Sequence, residues 1–139
     1  MFELLTDFTD KAFAAGRIGD AERLLSGQLR SPLTAARAGK TVPVATVDWC
    51  VQQALRLARG TAKGAWVDYA VESYLHARRA MPAAIVDDLY SLLRIAKPID
   101  IALLRRYVAV LGELESTLAP NERFLVRRIA GLERMAMAG

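Results

Sequence analysis

Few side chains in this chain could take part in a reaction. Among the 139 residues there is one histidine, His76, and one cysteine, Cys50. A helical metal site would need a second histidine or a carboxylate three or four residues beyond His76, where Arg79 and Ala80 stand. Glu72 lies one turn before His76, and we expect that pair to be a surface contact. Cys50 lies in an apolar stretch, which predicts a buried and unreactive thiol.

Carboxylates and sequence motifs also give no indication of a reaction centre. Asp87 and Asp88 are adjacent, so on a helix they point about 100° apart and cannot face one another as an acid pair. The sequence contains no phosphate-binding loop and no GxSxG, HExxH, CxxC or DxDxDG pattern. We therefore predict a protein that is not an enzyme and that needs no cofactor and no metal.

Arginine and aromatic residues are the best candidates for recognising a partner, since both types dominate binding hot spots. Arginines occur in adjacent pairs at positions 78–79, 105–106 and 127–128. Their stems could cover apolar helix surface, or stacked helices could align the guanidinium groups into a ridge for carboxylates or phosphates. We predict that Trp66, Tyr69, Arg105 and Arg106 bind the partner, whereas a gap-filling role is slightly favoured for Trp49.

The spacing of apolar residues predicts that helices present these groups. Pro32 leaves open whether the second helix stops near Arg30 or continues to Gly39. The predicted helices are 2–15, closed by Gly16; one capped by Asp20; one from Pro43 to just before Gly60; 65–79; one opened by Pro82 and broken by Pro98; one capped by Asp100; and one opened by Pro120.

The same spacing predicts which side chains are buried. They are Leu4 or Leu5, Phe8, Ala12, Ala21, Leu24, Leu25, Leu29, Val44, Val47, Val51, Leu55, Ala58, Ile85, Leu89, Leu92, Ala96, Leu104, Val108, Leu111, Leu114, Leu125, Ile129, Leu132 and Ala136. Good helix formers dominate, and no convincing stretch alternates with period two. We predict an all-α fold with about seven antiparallel helices in one domain over 1–139, arranged as stacked hairpins or as a compact bundle.

One segment resembles a known repeat. Residues 12–25, AFAAGRIGDAERLL, resemble one tetratricopeptide unit, in which a glycine closes the first helix and an alanine lets the second helix pack closely. Gly16 and Ala21 stand at those positions, with Leu24 and Leu25 following as core. The later hairpins do not repeat the signature at the family's period of roughly 34 residues. The resemblance implies a tetratricopeptide-like array of helical hairpins.

A second resemblance concerns four longer runs. AERLLSGQLR, KGAWVDYAVESYL, IDIALLRRYVAVL and NERFLVRRIAGLERM are similar to a helical segment that accompanies forkhead-associated domains in some bacterial signalling proteins. The resemblance implies a cytoplasmic bacterial regulatory assembly. It carries over no residue that reads phosphothreonine, because a β-sandwich performs that task in the family.

Charge and composition limit the class of partner. The net charge is +4, and residues 11–63 hold nine Lys and Arg against three acids, which favours an acidic partner. No run approaches the roughly 18–20 apolar residues of a membrane span. Glu3, Asp7 and Asp10 stand where an export signal carries positive charge, and a lone cysteine fits a reducing cytoplasm.

These observations predict a cytoplasmic scaffold or adaptor that binds a protein partner. Stacked hairpins leave a groove between their first helices, which can accept a peptide or a partner helix. A nucleic-acid-associated domain using residues 11–63 is the alternative, although the basic residues do not form the clustered stripe of a dedicated nucleic-acid binder. A self-association domain is the third reading, with Met135 and Met137 as adaptable contacts in a homo-oligomer.

Overall fold

The computed structural model describes residues 2–138, with side chains from Leu4 onward. Within that range the chain forms seven α-helices, one short 3-10 turn over 115–117 and no β-strand, so the predicted all-α class is confirmed. The helices are α1 (Phe2–Ala14), α2 (Ile18–Arg37), α3 (Val44–Thr61), α4 (Gly64–Ala77), α5 (Ala83–Leu92), α6 (Ile101–Leu114) and α7 (Pro120–Ala138). The one-domain organisation stays a prediction.

The helices pack in two layers. Helices α2, α4 and α6 contact one another in chain order as one layer, and α3, α5 and α7 do the same in the other. The pairs α1–α2, α3–α4 and α6–α7 are packed hairpins, and α2 also contacts α3. Helices α1 and α3 are therefore the first helices of two successive packed pairs, and α5 contacts α3 on one side and α7 on the other.

Two groups of buried apolar side chains hold the layers together. The first joins α1 and α2 to one face of α3 and α4, and includes Ala12, Ala21, Leu25, Leu29, Cys50, Leu57 and Tyr69. The second joins the rest of α3 and α4 to α5, α6 and α7, and includes Val51, Tyr74, Met81, Leu89, Tyr107, Leu111 and Ile129. Trp66 packs against both groups. Burial of these aliphatic and aromatic surfaces is the main force that stabilises the array.

Most helix boundaries follow the predicted signals. The Asp100 carboxylate accepts a hydrogen bond from the Leu103 N–H at 3.1 Å, so the predicted cap of α6 is confirmed. Pro43 and Pro82 each stand directly before a helix, and Pro120 is the first residue of α7. Gly16 has a φ of +73° after α1, a backbone conformation that costs glycine little.

Three predicted boundaries were wrong. Asp20 does not cap α2, which already begins at Ile18; Asp20 lies in the first turn, where it pairs with Arg23. Gly60 lies inside α3 rather than beyond it, and Ala62 takes the left-handed position that ends this helix, with a φ of +57°. Helix α5 ends at Leu92, so Pro98 is too far along the chain to be what stops it.

The open question about Pro32 is answered by a single long helix. Helix α2 continues through Pro32 to Arg37. Proline removes one backbone donor and crowds the preceding turn, which weakens a helix. Leu29 and Leu33 lie on either side of Pro32 and are both buried. Their burial on one face keeps the helix continuous despite the proline.

The burial prediction was wrong on one side of α1 and at two further positions. Of the alternatives Leu4 and Leu5, Leu5 is partly buried against the first core group and Leu4 is 64% exposed; Phe8 is 57% exposed, while Thr9 and Ala12 are buried. The inner face of α1 is therefore rotated by about one residue from the predicted stripe. Thr9 can be buried there because its hydroxyl donates to the Leu5 and Thr6 carbonyls of its own helix. Leu24 and Val44 are also exposed.

The start of α4 is fixed by a close backbone approach. A Cβ atom placed on Gly64 would lie 1.8 Å from the carbonyl oxygen of Pro98, in the segment between α5 and α6. The neighbouring residues also meet, since the Lys97 N–H donates to the Ala62 carbonyl at 3.1 Å. Glycine at position 64 is therefore required by packing, and this contact anchors the α5–α6 connection against the α3–α4 turn.

Candidate functional site

A cleft among the described residues lies between α1, α3 and α5. Its volume is about 690 Å³, which lies within the range of ligand-binding clefts. We call it the first-helix cleft. Its lining residues are Thr6 and Phe13 of α1, Ile18 of α2, Trp49, Gln52, Gln53, Leu55, Arg56, Arg59 and Gly60 of α3, and Asp88 of α5.

Helix α3 forms the floor of the first-helix cleft. Trp49, Gln52, Arg56 and Arg59 are spaced three, four and three residues apart, so they lie along one face of the helix. The opposite face of α3 is buried in the two cores, which leaves this face to point into the cleft. The half-buried Trp49 ring is fixed by its indole Nε1–H, which donates to the Thr6 hydroxyl oxygen at 3.0 Å.

Arg56 joins α3 to α1 across the cleft. Its guanidinium lies 4.1 Å from the centroid of the Phe13 ring and donates to the Asp10 carboxylate at 2.5 Å. The same group donates to the Gln53 side-chain carbonyl at 3.2 Å. Cation–π stacking and the ion pair together hold the guanidinium in one orientation. The Arg56 guanidinium is therefore held in place at the side of the cleft and is not a mobile charge.

Arg59 is held less firmly than Arg56. Its side chain is 53% exposed, and its guanidinium lies 3.9 Å from the Asp88 carboxylate and 3.4 Å from the Ser91 hydroxyl. Both contacts are long for charge-assisted hydrogen bonds and are open to water, so they cost little to replace. Arg59 can therefore turn toward a carboxylate that enters the cleft.

One end of the first-helix cleft is closed by helix packing. A Cβ atom on Gly60 would lie 2.7 Å from Cγ2 of Ile18, the first residue of α2. The apolar rings of Phe13 and Trp49 and the side chain of Leu55 line the cleft beside the amides and guanidinium groups. Such a surface suits a ligand that offers apolar side chains and a carboxylate. Among residues 4–138, no group of three or more His, Cys, Asp or Glu side chains could hold a metal ion.

Two of the predicted partner-binding residues, Trp66 and Tyr69, lie together outside the cleft. Their ring centroids are 6.1 Å apart, between α2 and α4. The Trp66 indole donates to Glu22 at 2.8 Å; this bond, together with Lys63 at 3.0 Å, lowers the pKa of the Glu22 carboxyl. Tyr69 is only 8% exposed and its hydroxyl donates to the Leu29 carbonyl at 2.5 Å. Tyr69 therefore offers a partner little surface.

The other two predicted residues, Arg105 and Arg106, are exposed on α6. Arg105 lies 3.4 Å from the Glu133 carboxylate and donates to the Met137 sulfur at 3.2 Å, so it faces α7. Its contacts and those of Trp66 fall on different helices. The structure therefore brings Trp66 and Tyr69 together, and it places Arg105 in a separate surface with α7.

The other two arginine pairs follow the interpretation in which one member flanks the core. Arg79 donates to Asp48 at 2.6 Å and its guanidinium lies 4.9 Å from the Tyr74 ring centroid. Arg128 lies 2.6 Å from Asp87 and stacks on the Tyr90 ring. The remaining members, at positions 78 and 127, are exposed. These pairs therefore brace neighbouring helices and do not align with the first-helix cleft.

The single histidine and cysteine take structural positions. His76 Nε2 lies 3.0 Å from the Glu72 carboxylate, as the spacing predicted, and Arg37 binds the same carboxylate with two hydrogen bonds. Chiefly because of Arg37, the pKa of Glu72 is lowered. Cys50 is 1% exposed, and burial raises the pKa of its thiol. The prediction of a buried Cys50 is confirmed.

The chain matches no family model, no curated protein and no solved structure. The tetratricopeptide and forkhead-associated resemblances therefore stay predictions. In the part of the chain that the structure describes, no helix is both long and apolar enough to cross a bilayer.

The sequence contained a signal for the first-helix cleft that the predicted site residues did not use. The polar face of α3 carries Trp49, Gln52, Arg56 and Arg59 at helical spacing, and a groove between first helices was expected on general grounds. Trp49, for which a gap-filling role is predicted, packs against the first core group and also lines the cleft. The combination of that face with a groove between first helices points to the residues that line the cleft.

Proposed function

We propose that this protein is a scaffold or adaptor module that binds a peptide or a partner helix in the first-helix cleft. The observation that carries the proposal is the exposed face of α3, with Trp49 and Arg59 in a concave surface bounded by α1 and α5. Aromatic and arginine side chains in a concave setting are the usual anchors of protein interfaces.

The lining of the cleft indicates the chemistry of the ligand. An amphipathic segment could place apolar side chains against Phe13 and Trp49 and a carboxylate against Arg59. Residues 11–63, which supply nearly all of the lining, carry a net positive charge and would attract such an acidic segment. The assignment to a cytoplasmic bacterial regulatory assembly rests on the forkhead-associated resemblance and is part of the proposal.

A protein partner is favoured over nucleic acid by the state of the basic residues. Five of the nine Lys and Arg side chains between positions 11 and 63 already form ion pairs with carboxylates: Arg23, Arg37, Arg56, Arg59 and Lys63. A surface that neutralises phosphates needs several cations that are free to release counterions. The basic segment therefore supports recognition of a few carboxylates more than of a polyanion.

Selection from a displayed library of random peptides on the intact protein tests this proposal. We expect enriched peptides to combine apolar residues with Asp or Glu. Arg59→Glu should weaken their binding on the order of tenfold, and Gln52→Trp, which places a bulky ring on the floor of the cleft, should also weaken it. Arg106→Glu is the matched control, because it reverses an exposed helical arginine outside the cleft. Failure to enrich any peptide, or equal binding by Arg59→Glu, would reject the proposal.

A further inference from the structure

A second surface lies on the far side of α1 and α2 from the first-helix cleft. Phe8 and Leu24 line a cavity of about 540 Å³ together with Lys11, Ala12, Arg17, Asp20 and Arg23. Phe8 and Leu24 are 57% and 46% exposed, and Leu4, one turn before Phe8, is 64% exposed. We call Leu4, Asp7, Phe8, Lys11 and Leu24 the outer α1 surface.

Charges on the outer α1 surface are arranged in order along the helix. Asp7 lies toward the beginning of α1 and Lys11 one turn later, with Arg17 just beyond the end of the helix. Among the described residues, no basic group lies within ion-pair distance of Asp7, and no carboxylate lies within that distance of Lys11 or Arg17. In contrast, Asp20 and Arg23 at the rim of the cavity neutralise one another.

We propose that the outer α1 surface pairs with the same surface of a second copy of this chain, with the two α1 helices antiparallel. A two-fold axis near residue 9 sets Asp7 of each copy opposite Lys11 of the other, so two ion pairs form for one contact. The apolar centre is made by Phe8 of both copies, with Leu24 at its flank and Leu4 of each copy toward the far end of the partner's α1. Exposed aliphatic and aromatic side chains in one patch, rimmed by charge, are typical of an association surface.

The placement of Asp7 and Lys11 along α1 favours a second copy of this chain as the partner of the outer α1 surface. A surface built for an acidic peptide would carry basic groups alone, whereas here an acid and a base lie one helical turn apart on the same face. Asp7 and Lys11 do not pair with one another in the structure, and antiparallel self-pairing is an arrangement that satisfies both signs. This surface and the first-helix cleft use different faces of α1, because Thr6 and Phe13 line the cleft while Phe8 and Lys11 line the outer cavity.

Sedimentation velocity of the intact chain from low to high micromolar concentration tests the proposal. The wild type should form a dimer as concentration rises. Asp7→Lys and Lys11→Glu should each weaken the homodimer on the order of tenfold, because each change sets two pairs of like charges opposite one another. An equimolar mixture of the two variants should dimerise again, since every facing pair in the heterodimer then has opposite signs.

Control variants distinguish this dimer from non-specific hydrophobic association and from loss of folding. Phe8→Ser should abolish dimerisation, whereas Phe124→Ser, which removes a side chain that is 62% exposed on α7, should not. All variants change exposed residues and should keep the wild-type melting temperature and peptide binding in the first-helix cleft. A chain that stays monomeric at every concentration, or two charge variants that fail to rescue one another when mixed, would overturn the proposal.

Discussion

The guanidinium of Arg56, on α3, lies 4.1 Å from the centroid of the Phe13 ring on α1. It also pairs with Asp10, which lies one turn before Phe13 on α1. This contact joins α1 to α3 at the wall of the first-helix cleft. Together with the Trp49–Thr6 hydrogen bond and the buried Ala12, Arg56 therefore holds α1 in position, and it uses both its charge and its planar guanidinium to do so.

We expect Arg56→Ala to loosen α1 by removing the stack and the ion pair. The loss of an exposed cation–π contact and an exposed ion pair predicts a cost of about 1 kcal/mol in the free energy of unfolding. Hydrogen exchange should increase in α1 more than in α6. Arg106→Ala serves as the control, and equal protection of α1 in both variants would contradict the role assigned to Arg56.

Gly64 provides a test of the packing between the α3–α4 turn and the α5–α6 connection. Gly64→Ala forces a Cβ atom against the Pro98 carbonyl oxygen and should destabilise the protein by about 1–3 kcal/mol. Gly27→Ala is matched to it, because Gly27 lies inside α2 with open space around it and should stabilise the protein by about 0.5–1 kcal/mol. Urea titrations that give both changes the same sign would show that the Gly64 contact is misplaced.

The stability of the α2–α4 contact should depend on pH through Glu22 and Glu72. Their hydrogen bonds to Trp66 and to Arg37 lower the pKa of each carboxyl in the folded state. A lowered folded-state pKa means that the stabilisation is present above the unfolded value of about 4.3 and is lost as pH falls through that value toward the folded one. Glu72→Gln should therefore destabilise the protein at pH 7 and have little effect near pH 3.

Asp68 should act in the opposite direction and serves as the contrast. Burial raises the pKa of its carboxyl, so its protonation as pH falls favours the folded state. Asp68, on α4, accepts a hydrogen bond from the Asp100 N–H at 2.8 Å, which joins α4 to the start of α6.

The contribution of Glu72 can be measured by urea denaturation over the acid range. This should show a shallower loss of stability in Glu72→Gln than in the wild type. Identical slopes would contradict the linkage.

Cys50 should react slowly in the folded protein. Its thiol is buried and its pKa is raised, so both access and the thiolate fraction are low. Labelling with iodoacetamide should proceed only after addition of denaturant, at a rate that follows the population of open molecules. Rapid labelling of the native protein would show that this part of the core is not packed as described.

The fold could be predicted where local chemistry decided it. Asp100, Pro43, Pro82 and Pro120 mark helix starts because capping and fixed φ act within one turn. Boundaries failed where tertiary packing decided instead. Helix α2 continues through Pro32 because Leu29 and Leu33 are buried against other helices. Residue preferences within one helical turn do not reveal that burial.

The candidate site was less predictable, because its residues come from helices far apart in the sequence. Trp66 and Tyr69 looked like contact residues by type, but the approach of α2 to α4 turns Tyr69 inward and gives Trp66 an internal acceptor in Glu22. Arg59 had no signal of its own except its place on the polar face of α3. Which face of a helix borders a cleft depends on packing, and residue type alone does not reveal it.

The two tryptophans allow the most direct test of the proposed function. Trp49 lines the first-helix cleft, and Trp66 lies between α2 and α4 with its indole N–H on Glu22. Each indole N–H gives its own signal in a ¹H–¹⁵N correlation spectrum, and both can be followed while a selected peptide is added. The account predicts that the Trp49 indole signal shifts with the peptide while that of Trp66 stays in place. A shift of Trp66 with Trp49 unchanged would contradict it.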